Sequence, residues 1–480
     1  MISPTLASTA CQIRNAPPDS QPGPAALARL GRLLDDHGYD GTSIRDLAGG
    51  APEIGIRERS LIRRRLHGDL AAPLRLFLLG DVVEPTALAP LDAAEMAGLL
   101  ERRDGGICST VGVQPWRDRL ICHDWPARRL NDDFVVPVSA ITTLLADLTV
   151  RRGVGRALDV GTGAGVQALL AARHSERVVA VDISPRALRL ARWSLGLNRA
   201  QNVELRLGSL FEPVGDEGFD LIVSNPPYIL SPDTSHLYRD GGGTAMTRAI
   251  VEGAAARLRE GGFAHILCEW PLAPGEEWSD QPLSWASGTG CDAWLLGLVV
   301  DEDPLSHAVK WNLDLHETDA DAFERAVDRW VGQFEPGAVD RIAFGALSLR
   351  RRRGRNWKRA DQTDVWPSGP VGDHVQRIFA GQTLMSSLRS DESLLELVLE
   401  PSDELRLDET RAHNGLGFEL VAAQPRLAGG IALRPRLSRL ALDVIRRLDG
   451  RSTLRDLDAH GALPQLGGLV ALGFLRATLR

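Results

Sequence analysis

Asn225-Pro226-Pro227-Tyr228 closes an apolar run over residues 219–224. Neither proline has a backbone N–H to give, so a central strand cannot continue through them. The chain must turn out of the sheet at Asn225. That places an amide side chain, stiffened carbonyls and an aromatic ring at the carboxyl edge of a strand, where open α/β sheets bind ligands. The Asn225 side-chain oxygen and the Pro226 carbonyl are both acceptors. Together they can hold the two N–H bonds of an NH2 group and aim its lone pair at an electrophile. Pro227 fixes the backbone between them and Tyr228, whose ring can stack on the planar group carrying the nitrogen. The competing reading is a proline-rich turn that merely ends a core strand, with Tyr228 as packing.

A second constellation lies upstream. Residues 157–160 read as a strand, and Gly161-Thr162-Gly163-Ala164-Gly165 opens a helix running to about residue 173. The glycines permit a tight turn and close approach of backbone to a ligand. Residues 178–181 form the next strand, ending on Asp182, and 182 − 159 = 23 residues separate it from Asp159. That distance suits an acid that binds a ribose diol. A glycine loop alone fits any dinucleotide-binding fold, and Asp182 beside Ser184-Pro185 also reads as a helix N-terminal charge.

The elements that position these groups follow in order. Strands are expected over 203–207, 219–224, 263–270, 294–300 and 342–349, with helices over 186–198 and 244–258, the latter closed by Gly261-Gly262. A further helix begins at Thr318. Before the core, residues 25–104 carry helical spacing, including a helix over 93–103 capped by Asp92. Residues 107–113 and 120–123 suggest two short strands. After the core, 438–448, 453–457 and 463–475 resemble a small winged-helix or helix-turn-helix unit. The expected domains are a disordered 1–24, a helical 25–104, a β-hairpin linker over 105–136, a core over 137–355 and a C-terminal α+β extension over 356–480.

Length and composition agree with this division. The 480 residues suggest about three domains. With 44% hydrophobic and 25% charged residues, core material is ample. The net charge of −8 provides no global basic field for nucleic acid. The strongest basic cluster, Arg350-Arg351-Arg352-Arg353-Gly354-Arg355, can touch phosphate or simply end a strand in solvent. Five cysteines at no metal-site spacing imply neither a disulfide framework nor a metal centre. No apolar run is long enough to span a membrane, and residues 1–24 lack the order of a signal peptide, so a cytoplasmic location is expected.

Taken together, the 159–165 loop, Asp182, Ser209-Leu210-Phe211 and the Asn-Pro-Pro-Tyr turn occur in the order and spacing of a class I S-adenosylmethionine-dependent methyltransferase. The turn resembles that of N-methyltransferases, and the whole is similar to the HemK-like family, which methylates a glutamine side-chain amide in release factors. The resemblance covers about residues 137–355 and implies a Rossmann-like sheet of seven strands, the last of them antiparallel. It implies that Gly161, Thr162, Gly163 and Gly165 line the methionine end of S-adenosylmethionine. Asp182 would take the ribose, with Ile183 and Leu210 on the adenine faces and Ser209 and Asn225 beside the cofactor. Asp159 would order the loop and the methionine ammonium, directly or through water. The chain departs from the family at Ser209, where an acid is usual, at Val136-Pro137-Val138-Ser139, which lacks an Arg and a Glu, and in its long C-terminal extension. A protein or peptide glutamine is the expected substrate. The alternatives are adenine N-methylation in RNA or DNA, N-methylation of a small molecule or peptide natural product, and a cofactor-binding module without catalysis.

Overall fold

The computed structural model describes residues 21–50, 56–89, 91, 95–129, 131–232, 243–316, 319–413 and 415–479. Asp92, Thr318 and residues 1–20 of the expected disordered N-terminus lie outside them. Its largest sheet has eight strands. Seven are those expected from the apolar runs: Val154–Val160, Ser175–Asp182, Val203–Leu207, Phe219–Ser224, Leu258–Leu272, Cys291–Glu302 and Arg341–Arg351. The eighth, Lys358–Gln362, lies past residue 355, where the core was expected to end. Its sequence, KRADQ, has no apolar alternation. It pairs parallel to Cys291–Glu302, and Asp361 accepts from the Trp294 indole N–H at 2.8 Å.

The chain divides into two compact units. The first holds the described residues within 21–142 and 156–215. Its sheet strands include Ser175–Asp182 and Val203–Leu207, which pair in parallel. The N-terminal helix Pro24–Asp36 packs on Pro185–Leu197 through two glycines. A Cβ on Gly31 would lie 2.1 Å from the Leu197 carbonyl oxygen, and one on Gly196 would strike Leu27. A larger residue at either position would force the helices apart. The buried Asp124 accepts from Arg186 and faces Arg128.

The sequence suggested a helix over 93–103. The structure instead makes Leu100–Arg103 a strand, antiparallel to Gly106–Ser109. The cause is the Asp104-Gly105 pair. Both have positive φ, 47° and 81°, the geometry of a two-residue hairpin turn. A second hairpin, Gly112–Trp116 with Arg119–His123, follows.

The second unit holds the described residues within 143–155, 216–232 and 243–479. Its sheet order is Lys358–Gln362, Cys291–Glu302, Arg341–Arg351, Leu258–Leu272, Phe219–Ser224. Arg341–Arg351 runs antiparallel to both neighbours, and Phe219–Ser224 is parallel to Leu258–Leu272. Gly261 and Gly262 lie inside the Leu258–Leu272 strand and do not close the preceding helix, which ends at Arg257. The register jumps there, from Phe219↔Leu258 to Leu221↔Phe263. Gly261 has φ 75°.

Part of the basic cluster is absorbed internally, while Arg353 and Arg355 stay exposed. The buried Asp292 accepts from Arg350 at 2.8 Å, from Arg352 at 2.7 and 3.0 Å, and from the Trp357 N–H at 3.2 Å. Burial acts to raise the Asp292 pKa, but the guanidiniums and Asn356 outweigh it and hold the carboxyl below its ordinary value.

Beyond the sheet, helix Gly372–Ser387 lies against Leu463–Ala471. A Cβ on Gly381 would be 1.9 Å from the Val470 oxygen. Strand Leu397–Pro401 pairs with Leu475–Leu479, and Leu405–His413 pairs with Phe418–Leu427. Residues 454–458 form turns between helices Arg439–Ile445 and Leu463–Ala471. The side chains of Thr453 and Asp456 each accept the other's N–H, as at a helix N-terminus, and the Leu457 N–H reaches the Thr453 carbonyl at 3.2 Å.

Candidate active site

In the first unit, the Val154–Val160 strand delivers Asp159 to a buried position under the glycine loop. Its Oδ2 accepts from the Thr162 hydroxyl at 2.6 Å and the Ala168 N–H at 3.0 Å. Burial pushes the Asp159 carboxyl up to about 7, against those two bonds, with the Asp182 charge adding to the rise. The amides of Gly161 and Thr162 both donate to the Val181 carbonyl at 2.9 Å. Gly161, Gly163 and Gly165 have φ of 72°, 53° and 84°. A Cβ on Gly161 or Gly163 would meet nothing within 4 Å, whereas one on Gly165 would press on Ala191 at 3.2 Å. The first two glycines therefore leave open space beside the backbone, and the third permits close helix packing.

Asp182 ends its strand with both oxygens engaged. Oδ2 accepts from the Gly163 N–H at 2.8 Å and Oδ1 from the Ser184 N–H at 2.9 Å. Burial raises its pKa, and these amides oppose the rise. A carboxylate has about four acceptor positions, so two such bonds leave room for a diol. The neighbouring Ile183 is 58% exposed, and so is Leu207, the register partner of Asp182 on the adjacent strand. The structure thus adds Leu207 to the expected set. An exposed apolar residue at a strand's carboxyl end was the available signal. Leu210 is half-buried with φ 48°, and the Ser209 carbonyl accepts from the Glu212 N–H.

In the second unit, Phe219–Ser224 is almost wholly buried and ends at Asn225. The Asn225 Oδ1 is buried, with no hydrogen-bond partner among the described residues. Pro226 is buried and its carbonyl accepts from the Tyr228 N–H at 2.9 Å. One of its two lone pairs is therefore already used. Pro227 is half-buried. The Tyr228 ring is 6% exposed and packs 5.4 Å from Phe344 at an interplanar angle of 41°. Burial, then the nearby Glu269 and Cys268, drive its hydroxyl well above the ordinary value.

Two residues on from Tyr228, the Leu230 N–H donates to Glu269 Oε2 at 2.8 Å, and His307 Nε2 lies 3.1 Å from the same oxygen. Glu269, Glu302 and His307 bring ligand atoms within 4.8 Å of one another. No cysteine or histidine spacing announced this cluster. Lys310 Nζ sits 2.7 and 2.6 Å from the two Glu302 oxygens, so the cluster carries its own cation. The four described cysteines are buried and free. No helix among the described residues is long and apolar enough to cross a membrane.

Residues 139–272 match the Methyltransferase small domain family. The chain is 37% identical over 241 residues to a release factor glutamine methyltransferase of Cereibacter sphaeroides, covering 46% of this chain and 81% of that protein. It is 39% identical over 156 residues to a protein of the same name from Geobacter sulfurreducens, covering 28% of this chain and 55% of that one. A ribosomal protein uL3 glutamine methyltransferase of Bradyrhizobium diazoefficiens is 38% identical over 152 residues, covering 28% and 46%. The chain thus spans about half the length of the latter two. Fold and likeness define a class I methyltransferase whose cofactor is S-adenosylmethionine. Within that class the chain belongs to the HemK-like N-methyltransferases, the family of the release factor glutamine methyltransferases.

Proposed function

We propose that this protein methylates the side-chain amide nitrogen of a glutamine in a protein substrate. The observation that carries the reading is the Asn225 Oδ1, a buried acceptor left unpaired by the described residues. Leaving such a group unpaired costs about 1–3 kcal/mol. An amide NH2 from a substrate relieves that cost and is held in one orientation. The kind of protein follows from the relatives, two of which are named for release factors and one for a ribosomal protein.

The glycine loop fits the cofactor. Space beside Gly161 and Gly163 admits a ligand against the backbone, and Asp182 keeps acceptor capacity for a ribose diol. Ile183 and Leu207 offer apolar faces for a base, joined by Leu210 from the Ser209-Leu210 segment. Thr162 and Asp159 hold the loop through their mutual bond. S-adenosylmethionine would supply there an electrophilic methyl carbon for the substrate nitrogen, with S-adenosylhomocysteine as the leaving group.

The chain's own work is positioning and electrostatics. Asn225 Oδ1 accepts one N–H of the substrate and favours the positive charge that develops on its nitrogen. The second lone pair of the Pro226 carbonyl takes the other N–H, and Pro227 keeps the two acceptors in fixed relation. Tyr228, buried against Phe344, supports the turn and not the amide plane itself. The methylated nitrogen is acidic enough to lose its proton to water, so no strong general base is required. We place the enzyme in the cytoplasm, with its protein substrates.

The test is a methyl-transfer assay with labelled S-adenosylmethionine, using purified release factors, ribosomal proteins, RNA and DNA as separate acceptors. Label in protein, recovered as methylglutamine on hydrolysis, supports the proposal. Label confined to nucleic acid or small molecules overturns it.

A further inference from the structure

Glu269 is 2% exposed, yet its Oε2 takes the Leu230 N–H and faces the His307 ring. His307 is 1% exposed and lies between Trp311 and Trp330, at ring distances of 6.4 and 5.6 Å. Burying a carboxylate is costly unless its bonds are worth more than an apolar replacement. Its strand neighbours Leu267, Cys268, Trp270 and Leu272 are buried, and the strand's other buried polar side chain, His265, is bonded to Ser348.

The location of the bond explains the expense. Glu269 and Phe344 are directly paired across antiparallel strands. Residues so paired project from the same face of a sheet. The Phe344 ring packs on Tyr228, and the Glu269 carboxylate holds the amide of Leu230. One cross-strand pair thus grips the chain at two points, two residues apart, just after the Asn225 turn. Leu230 is fully buried, so its N–H has no water to fall back on. His307 Nε2 meets the same Oε2 that the Leu230 N–H reaches. Glu302, the third member of the cluster, is kept by Lys310.

We infer that Glu269 is a positioning residue for methyl transfer, fixing through the Leu230 amide the turn that presents Asn225 to the substrate nitrogen. The inference rests on the role proposed for Asn225. A turn free to shift by an ångström would misalign a nitrogen lone pair that must face the methyl carbon.

The test compares Glu269→Ala and Glu269→Gln with wild type. Steady-state methylation of a purified release factor is read alongside calorimetric affinity for S-adenosylhomocysteine. Glu269→Ala should lower kcat by about 10- to 100-fold with cofactor Kd within about twofold. Glu269→Gln, which keeps an oxygen for the Leu230 N–H, should restore most of the loss. A folded Glu269→Ala enzyme with wild-type kcat overturns the inference. So does a Gln variant as impaired as the Ala variant, because the charge and not the hydrogen bond would then be what matters. Should Glu269→Ala fail to fold, Glu269→Asp draws the acceptor back by one methylene and keeps the charge. It should lower kcat at unchanged cofactor affinity, and an unchanged kcat again refutes the inference. Asn225→Ala is measured in parallel. Loss of turnover in Asn225→Ala with none in the Glu269 variants removes only the positioning role. Full turnover in Asn225→Ala removes the proposed reading of the turn itself.

Discussion

The glycine loop and the Asn225 turn spend their polar groups differently. Around the loop, Asp159 and Asp182 each accept two hydrogen bonds from the protein itself, and the loop amides of Gly161 and Thr162 are tied to Val181. At the turn, the side-chain oxygen of Asn225 is buried with no partner among the described residues. The loop's carboxylates therefore serve the fold as well as any ligand. The turn carries an acceptor that the described residues leave unused. Substitutions in the loop should damage stability and binding together, whereas the Asn225 substitution should separate chemistry from folding.

The largest separation is expected at Asn225. Asn225→Ala should cut turnover by about 10²–10³, by analogy with the loss of one preorganised hydrogen-bonding group. Cofactor affinity should stay within about twofold, and Tm should hold or rise, because a buried oxygen with no partner among the described residues is removed. Turnover and Tm are measured on one preparation. A lowered Tm with unchanged turnover per folded molecule would make the turn a structural feature and erase the contrast.

Asp182→Ala should show the opposite coupling. Losing a charged acceptor for a diol weakens cofactor binding by about 1.5–3 kcal/mol, roughly 10- to 150-fold. The same change strips the Gly163 and Ser184 amides of their acceptor, so Tm should fall too. Calorimetry with S-adenosylhomocysteine and a melting curve check both. Weakened binding at constant Tm would show that Asp182 serves the ligand alone.

Asp159 adds a pH signature. Its carboxyl titrates in the folded protein at about 7 because it is buried, against about 3.9 for an unperturbed aspartate. Between those values the folded state holds a proton that the unfolded state has released. This group therefore makes stability fall as pH rises from about 4 to about 7, with no further change above. Asp159→Asn removes the titration, so Tm of the variant minus Tm of wild type should grow across that window and then level. Parallel curves would mean that Asp159 stays charged throughout, its burial offset by the Thr162 and Ala168 bonds.

These contrasts were unevenly legible in the sequence. The turn announced itself because two prolines end an apolar run, a covalent constraint that no tertiary context relaxes. Seven sheet strands were visible as apolar runs with polar or glycine boundaries. Lys358–Gln362 was not, because an edge strand of polar residues gains its place from the neighbour it pairs with. The Asp104-Gly105 hairpin was missed for a different reason. The helical spacing of residues 93–103 outweighed a two-residue turn signal that fixes backbone hand more strictly than periodicity does. The Glu269, Glu302 and His307 grouping was beyond reach, since its members are 302 − 269 = 33 and 307 − 302 = 5 residues apart and meet only through folding. That Asn225 is left unpaired, and that Asp182 is not, depends on neighbours that only the folded chain supplies.

The smallest expected effect is at Tyr228, where the contrast is finest. Its ring is buried against Phe344, and its hydroxyl is driven far above the pH range in which it could exchange a proton. The ring therefore matters and the hydroxyl's acidity does not. Tyr228→Phe keeps the surface and should hold turnover within about threefold and Tm within a degree or two. Tyr228→Ala empties the space beside Phe344. It should destabilise the protein by about 3–5 kcal/mol, as large-to-small aromatic changes in a core do, and should lower turnover as the turn loses its support. A Phe variant as damaged in turnover as Asn225→Ala, at normal Tm, would break the comparison. The turn would then hold two polar groups reserved for the substrate, and the packing of Tyr228 on Phe344 would serve to aim a hydroxyl as well as to fill space.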